Sequence, residues 1–120
     1  KYILMPGMNG CIFVYPADEE QKLIKAMQDL ESFDPDQAEW LRSISEYSDV
    51  VEADSQGRFM LSPDLIAIAG INKDVRIVGA INKVEIWGEE RYMERRSKQQ
   101  HTPQAFDELY KKLHKAMEPK

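Results

Sequence analysis

The chain has 120 residues, 42% of them hydrophobic and 31% charged, and carries a net charge of −5. That length supports one ordinary core or two very small ones, and the acidic balance excludes nucleic-acid binding through the whole surface, so any such binding needs a local basic patch. Cys11 is the single cysteine, which rules out an intrachain disulfide scaffold or a Cys-rich zinc site and points to a reducing, intracellular setting. No apolar run approaches the ~20 residues that span a bilayer, so no membrane partner is expected.

The chain opens Lys1-Tyr2-Ile3-Leu4-Met5, without an initiator methionine and already in a β-prone run. A chain whose natural beginning lies upstream is the expectation. Tyr2 to Met5 and Cys11 to Tyr15 are two such runs around Pro6-Gly7-Met8-Asn9-Gly10, a hairpin or a closely linked strand pair ended by Pro16. Asp18 to Phe33 predicts a helix with Leu23, Ile24, Met27 and Leu30 on one stripe. Asp34-Pro35-Asp36 breaks it and starts a second helix, whose apolar face is Trp40, Leu41, Ile44 and Tyr47; two antiparallel helices are the simplest arrangement.

Asp49-Val50-Val51-Glu52-Ala53 then predicts a strand, Asp54-Ser55-Gln56-Gly57-Arg58 a tight polar turn, and Phe59-Met60-Leu61 a returning strand. In that turn Gly57 supplies a position where φ > 0 carries little steric cost, and Asp54 can bond the turn's own amides. Arg58 is left at the end, where its planar fork suits a phosphate or a guanine edge. Ser62-Pro63-Asp64 is a compact helix start, with Leu65, Ile66 and Ile68 as core candidates and Gly70 placed to end the helix left-handed. Val75 to Gly79 and Val84 to Trp87 form a second strand pair, followed by a charged helix from Glu89 through Arg96. Pro103 opens a last helix with Phe106, Leu109, Tyr110, Leu113 and Met117 at helical spacing.

The two strand pairs are alike. Cys11-Ile12-Phe13-Val14-Tyr15-Pro16 lines up with Lys83-Val84-Glu85-Ile86-Trp87-Gly88, aromatic on aromatic, and each is followed by acids and a helix. Upstream, Ile3-Leu4-Met5 matches Arg76-Ile77-Val78 or its neighbours, allowing one residue of slack in the turn. On this repeat the first copy lacks its own Asp-x-x-Gly-Arg turn, which would lie roughly 20 residues upstream of Lys1.

The order of a helix pair, Ser48 through Arg58, Ser62-Pro63, Val75-Arg76-Ile77-Val78-Gly79 and Asn82-Lys83-Val84-Glu85-Ile86-Trp87 resembles the MraZ family of bacterial transcriptional regulators of the division and cell-wall gene cluster. The resemblance covers about residues 2–92, and nothing is carried over to the last helix. It implies an α+β fold of tandem swapped-hairpin halves of the SpoVT–AbrB type, a β-barrel pseudo-dimer with an inserted helix pair and a C-terminal helix. The implied division is 1–20 as the end of a first repeat, 21–48 as the linking helices, 49–92 as a second repeat and 93–120 as a tail. It further implies a homo-oligomeric ring that presents Asp-x-x-x-Arg turns to double-stranded DNA bearing short direct repeats, in the cytoplasm at the nucleoid.

Carried onto this chain, the DNA-facing residue is Arg58, with Lys73, Arg76 and Lys83 as further phosphate contacts and Asp54 and Gly57 shaping the turn. The family often has a lysine in the turn where this chain has Ser55 and Gln56. Catalysis is not expected: His101 and His114 lack metal-ligand spacing, no Gly-rich phosphate loop is present, and no cofactor or small-molecule substrate is implied. The acids Glu19, Glu20, Asp34 and Asp36 fit helix starts, and Cys11 fits a core strand. A ring-forming scaffold without DNA binding is the competing class. A toxin-neutralising antidote shares the hairpin but has one half-domain and a disordered tail.

Overall fold

Alternating apolar runs build one antiparallel sheet. A computed structural model describes residues 1–30, 34–99 and 101–119. Strands β1 (Tyr2–Pro6) and β2 (Ile12–Pro16) precede helices α1 (Glu20–Leu30) and α2 (Pro35–Tyr47). Strand β3 (Asp49–Val51), helix α3 (Pro63–Ile68), strands β4 (Val75–Ala80) and β5 (Lys83–Gly88), and helices α4 (Glu89–Lys98) and α5 (Pro103–Met117) complete the order. The strands lie β3-β1-β2-β5-β4, every neighbouring pair antiparallel. The α+β class holds. As paired, the five strands form an open sheet with β3 and β4 at its edges, and barrel closure is not among their pairings.

Residues that face each other across a ladder share a sheet face. On one face Leu4, Ile12, Val14 and Ile86 meet Leu65 and Ala69 of the α3 region, with Val51, Phe59, Leu61 and Ile71 packed around them. Leu4, Ile12 and Leu65 are fully buried, each removed from water at about 1.5–3 kcal/mol of driving force. Toward β4 the same face opens, and Ile77 is 65% exposed.

Sequence signals locate most boundaries. Ser62 caps α3 by accepting the Leu65 amide at 3.2 Å, with Pro63 in the first turn. Asp34 caps α2 through the Asp36 amide at 2.9 Å, and Thr102 caps α5 through the Ala105 amide at 3.2 Å. Gly70 adopts φ +62 at the end of α3.

Several expectations change. Phe59-Met60-Leu61 alternates in burial but joins no ladder, although β3 at the sheet edge has one side open; Phe59 and Leu61 pack against the core instead. Strand β3 stops at Val51 rather than Ala53. In α3, Ile66 is exposed and the small Ala69 takes the buried place. Helix α1 begins at Glu20 after a 3-10 turn over Ala17–Glu19, and the expected end at Phe33 lies outside the described residues.

The helix pair is loosely seated. Leu23 and Met27 of α1 and Leu41 and Ile44 of α2 are half-buried, whereas Trp40, expected on the apolar face, is 73% exposed. The Gln37 side chain donates to the Leu30 carbonyl and so ties the two helices at one end.

Candidate nucleic-acid interface

The Asp54–Arg58 turn is built by one carboxylate. Asp54 Oδ1 accepts the backbone amides of Gln56 at 2.9 Å and Arg58 at 2.8 Å, and Oδ2 accepts Arg58 Nε at 3.0 Å. The backbone closes the loop: the Asp54 amide donates to the Arg58 carbonyl at 2.8 Å and the Gly57 amide to the Asp54 carbonyl at 2.9 Å. Gly57 sits at φ +78, as a turn of this shape requires. The Arg58 amide, followed by the Gln56 amide and the Arg58 side chain, holds the Asp54 carboxyl below the usual aspartate range. Hydrogen bonds to the charged form are the physical cause.

Only Nε of the Arg58 guanidinium is engaged. Its side chain is 72% exposed, and its two terminal amino groups have no protein partner among the described residues. A planar group fixed at one edge and open at the other is suited to a bidentate acceptor such as phosphate or guanine.

The other candidate cations sit elsewhere. Arg76 lies on β4, the edge opposite β3, which leads into the Arg58 turn. Its fork is bidentate to Glu89, Nε to Oε2 at 3.1 Å and Nη2 to Oε1 at 2.6 Å, and it covers the Tyr92 ring at 4.7 Å. Lys73 shares a surface hollow with Asp74, Glu89 and Glu90. Lys83 starts β5 with Nζ 4.8 Å from the centre of the Phe13 ring. Arg58 also has an acidic partner in Asp54, but unlike Arg76 it keeps both terminal amino groups without a protein partner among the described residues.

Arg91, which sequence reasoning passed over, ties together three parts of the chain. Nη1 donates to the Gly10 carbonyl at 2.9 Å and to the Ile68 carbonyl at 3.1 Å, joining α4 to the first hairpin and to the end of α3. A Cβ on Gly70 would stand 2.6 Å from Nη2 of this arginine. No local signal announces such a residue, because its partners are carbonyls far away in sequence.

Cys11 is fully buried, and burial, with Glu85 next, pushes its thiol up to about 11. Among the described residues no group of three or more His, Cys, Asp or Glu side chains is arranged to hold a metal ion. No helix there is long and apolar enough to cross a membrane.

The family model described as "MraZ protein, putative antitoxin-like" matches residues 48–115, more than half of the chain. The match runs past residue 92 and takes in most of α5, so the resemblance extends further toward the C-terminus than the motifs alone indicate. The chain is similar to a protein of Clostridium beijerinckii named transcriptional regulator MraZ, 33% identical over 94 residues, which are 78% of this chain and 66% of the relative. A protein of the same name from Thermomicrobium roseum is 37% identical over 90 residues, 75% of this chain and 63% of the relative. The chain thus spans just under two thirds of the length of these curated relatives.

Proposed function

The chain belongs to the MraZ family, and on that premise we propose that it is a sequence-specific, DNA-binding regulator of transcription rather than an enzyme. The observation that carries the reading is the Asp54–Arg58 turn, in which a carboxylate fixes the loop and leaves the outer edge of one guanidinium open. Arg58 makes the contact to a phosphate or a guanine, while Asp54 and Gly57 shape the loop that presents it. Lys73, Arg76 and Lys83 are secondary contacts at most, given their neighbours.

One arginine per chain binds weakly. Repetition around a homo-oligomeric ring over short direct repeats converts weak sites into a tight and selective whole. The proposed target is the division and cell-wall gene cluster, and the proposed setting is the cytoplasmic nucleoid. The register of β2 against β5 supports the tandem-repeat arrangement: Ile12 pairs with Ile86 and Val14 with Val84 about the central pair Phe13 and Glu85. In the repeat alignment Phe13 and Glu85 are counterparts, as are Ile12 with Val84 and Val14 with Ile86. A local twofold requires this reciprocity. On the same reading, the first repeat of the complete protein contributes a counterpart of the Asp54–Arg58 turn.

The test is a mobility-shift titration on an operator with repeated boxes, comparing the complete protein with its Arg58→Ala variant. A loss of at least about fivefold in affinity with an unchanged oligomer is expected, in line with about 1–3 kcal/mol for a bidentate base contact. Unchanged affinity overturns the role of Arg58.

A second reading, a ring-forming scaffold without DNA binding, draws on the net charge of −5 and on Ser55 and Gln56 where the family often has lysine. Elution from a heparin or DNA column at low salt, beside a size measurement, separates the two. A ring that ignores DNA selects the scaffold.

A further inference from the structure

The loop that presents Arg58 carries a second open hydrogen-bonding group. Ser55, Gln56 and Gly57 form its tip, closed at the base by the Asp54 amide and the Arg58 carbonyl at 2.8 Å. Asp54 Oδ1 holds the Gln56 backbone amide at 2.9 Å, and the same carboxylate holds the Arg58 amide and Nε. One carboxylate therefore sets the two residues in a single frame. Gln56 is exposed, and its side-chain carboxamide has no protein partner among the described residues. It stands at the tip and Arg58 at the base, so a groove that admits the loop as far as Arg58 meets Gln56 as well.

The charges of the loop narrow what that carboxamide meets. Asp54 is the one carboxylate from 54 to 58, and bonds within the loop engage both of its oxygens. Ser55 and Gln56 are uncharged, so the tip has no cation of its own to hold a phosphate. A carboxamide offers a donor and an acceptor side by side. In the major groove adenine alone presents the matching pair, N6 as donor and N7 as acceptor. Guanine shows two acceptors there, cytosine a donor and thymine an acceptor.

We propose that Gln56 is a specificity-determining residue that reads an adenine in the major groove, its carboxamide oxygen accepting from N6 and its amino group donating to N7. The proposal rests on the DNA-binding function proposed above and divides the work of the loop. Arg58 supplies the charge, and Gln56 supplies the selection. Two residues span at most about 7 Å of chain, about two base steps along a strand, so the adenine lies close to the Arg58 contact. Because the loop backbone is fixed before DNA arrives, little of its freedom is lost on binding.

The test selects duplexes from a pool with a randomised segment, using the complete protein and its Gln56→Ala variant. Gln56 is exposed, so the variant is expected to fold and assemble as the unaltered protein does, which a size measurement checks. The unaltered protein should enrich an adenine at a position where Gln56→Ala shows no preference, with the other positions alike in both. On a selected duplex, guanine in place of that adenine should weaken the unaltered protein at least about fivefold and leave Gln56→Ala unmoved. Replacing the adenine by 7-deazaadenine, which lacks the N7 acceptor, should act in the same direction. Gln56→Lys should steepen the salt dependence by about one phosphate contact and lose the adenine preference.

A Gln56→Ala protein that keeps every adenine preference overturns the assignment. So does one weakened equally on all sequences, which makes Gln56 a phosphate contact. If the unaltered protein binds through Arg58 and only the Gln56 results fail, this inference falls and the proposed function stands. If the unaltered protein ignores DNA altogether, both fall.

Discussion

Phe13 and Glu85 face each other across the centre of the sheet, and each is the other's counterpart in the internal repeat. The two halves use different chemistry for the same contact. Phe13 meets Tyr15 edge-on at 6.3 Å between ring centres, whereas Glu85 accepts the Trp87 indole N–H at 3.1 Å. An aromatic pair in one half is thus replaced by a hydrogen bond between the same two strand positions in the other. On either side of this axis the seam is held by Ile12 against Ile86 and Val14 against Val84.

Because Ile12 and Ile86 are paired and both buried, their substitutions should be coupled. Ile12→Val and Ile86→Val are each expected to lower stability by about 1 kcal/mol. The double variant should depart from additivity by at least about 0.5 kcal/mol in urea unfolding. Strict additivity would mean that the two side chains do not share a packing site.

Arg91 bridges two backbone carbonyls from separate parts of the chain. Charge-assisted bonds of this kind carry about 1.5–3 kcal/mol each relative to leaving the partners unpaired. Arg91→Ala should therefore lower the melting temperature by at least about 5 °C. Arg91→Lys should recover only part of the loss, since an ammonium lacks the planar fork. A calorimetric scan of both variants checks the order.

Ile81 occupies the tip of the β4–β5 hairpin at φ +60 and is fully exposed. A β-branched residue in that region costs roughly 1–2 kcal/mol. Ile81→Gly should stabilise the chain by about 1 kcal/mol, visible as a higher denaturation midpoint with an unchanged urea dependence. A lower midpoint would show that the isoleucine side chain makes a compensating contact.

Two titrations carry opposite signs. The Asp54 carboxyl lies below its ordinary value, so its hold on the turn is complete above the ordinary aspartate range near ~3.9 and disappears as the pH falls through the depressed value. The amide resonances of Gln56 and Arg58 should move together in that acid range, and Asp54→Asn should abolish the movement. The Cys11 thiol is pushed up to about 11. Its contribution is complete below the ordinary thiol range near ~8.5 and is lost as the pH rises toward that raised value. Native protein at pH 8 should resist a thiol reagent that labels it at once in denaturant, and rapid native labelling would contradict the burial of Cys11.

Local chemistry made much of this structure legible in advance. The Ser62 cap, the left-handed Gly70, the Asp54 turn and the alignment of Cys11–Pro16 with Lys83–Gly88 depend on residues within a few positions of one another. The one-residue slack is present as well: Ile3 pairs with Tyr15, and Arg76 pairs with Trp87. What stayed hidden depends on distant partners. Whether Phe59 to Leu61 joins a ladder or packs on the core depends on distant side chains such as Leu4 and Leu65, and whether Trp40 is covered depends on how α2 lies against the sheet. The same holds for the candidate site. The geometry of Asp54 and Arg58 could be read from spacing, whereas the pairing of Arg76 with Glu89 and the reach of Arg91 to Gly10 could not.

The seam between β2 and β5 also sets an order of events during synthesis. Strand β2 is made before β5, which appears only after both helices of the linking pair, β3, α3 and β4 have been made. Until then Ile12 and Val14 have only part of their cover. Closing so long a loop is slow, because chain entropy is lost before the contacts that reward it exist. Capture of β5 by β2 is therefore expected to limit the folding rate. Conservative substitutions along this seam should slow refolding more than they hasten unfolding.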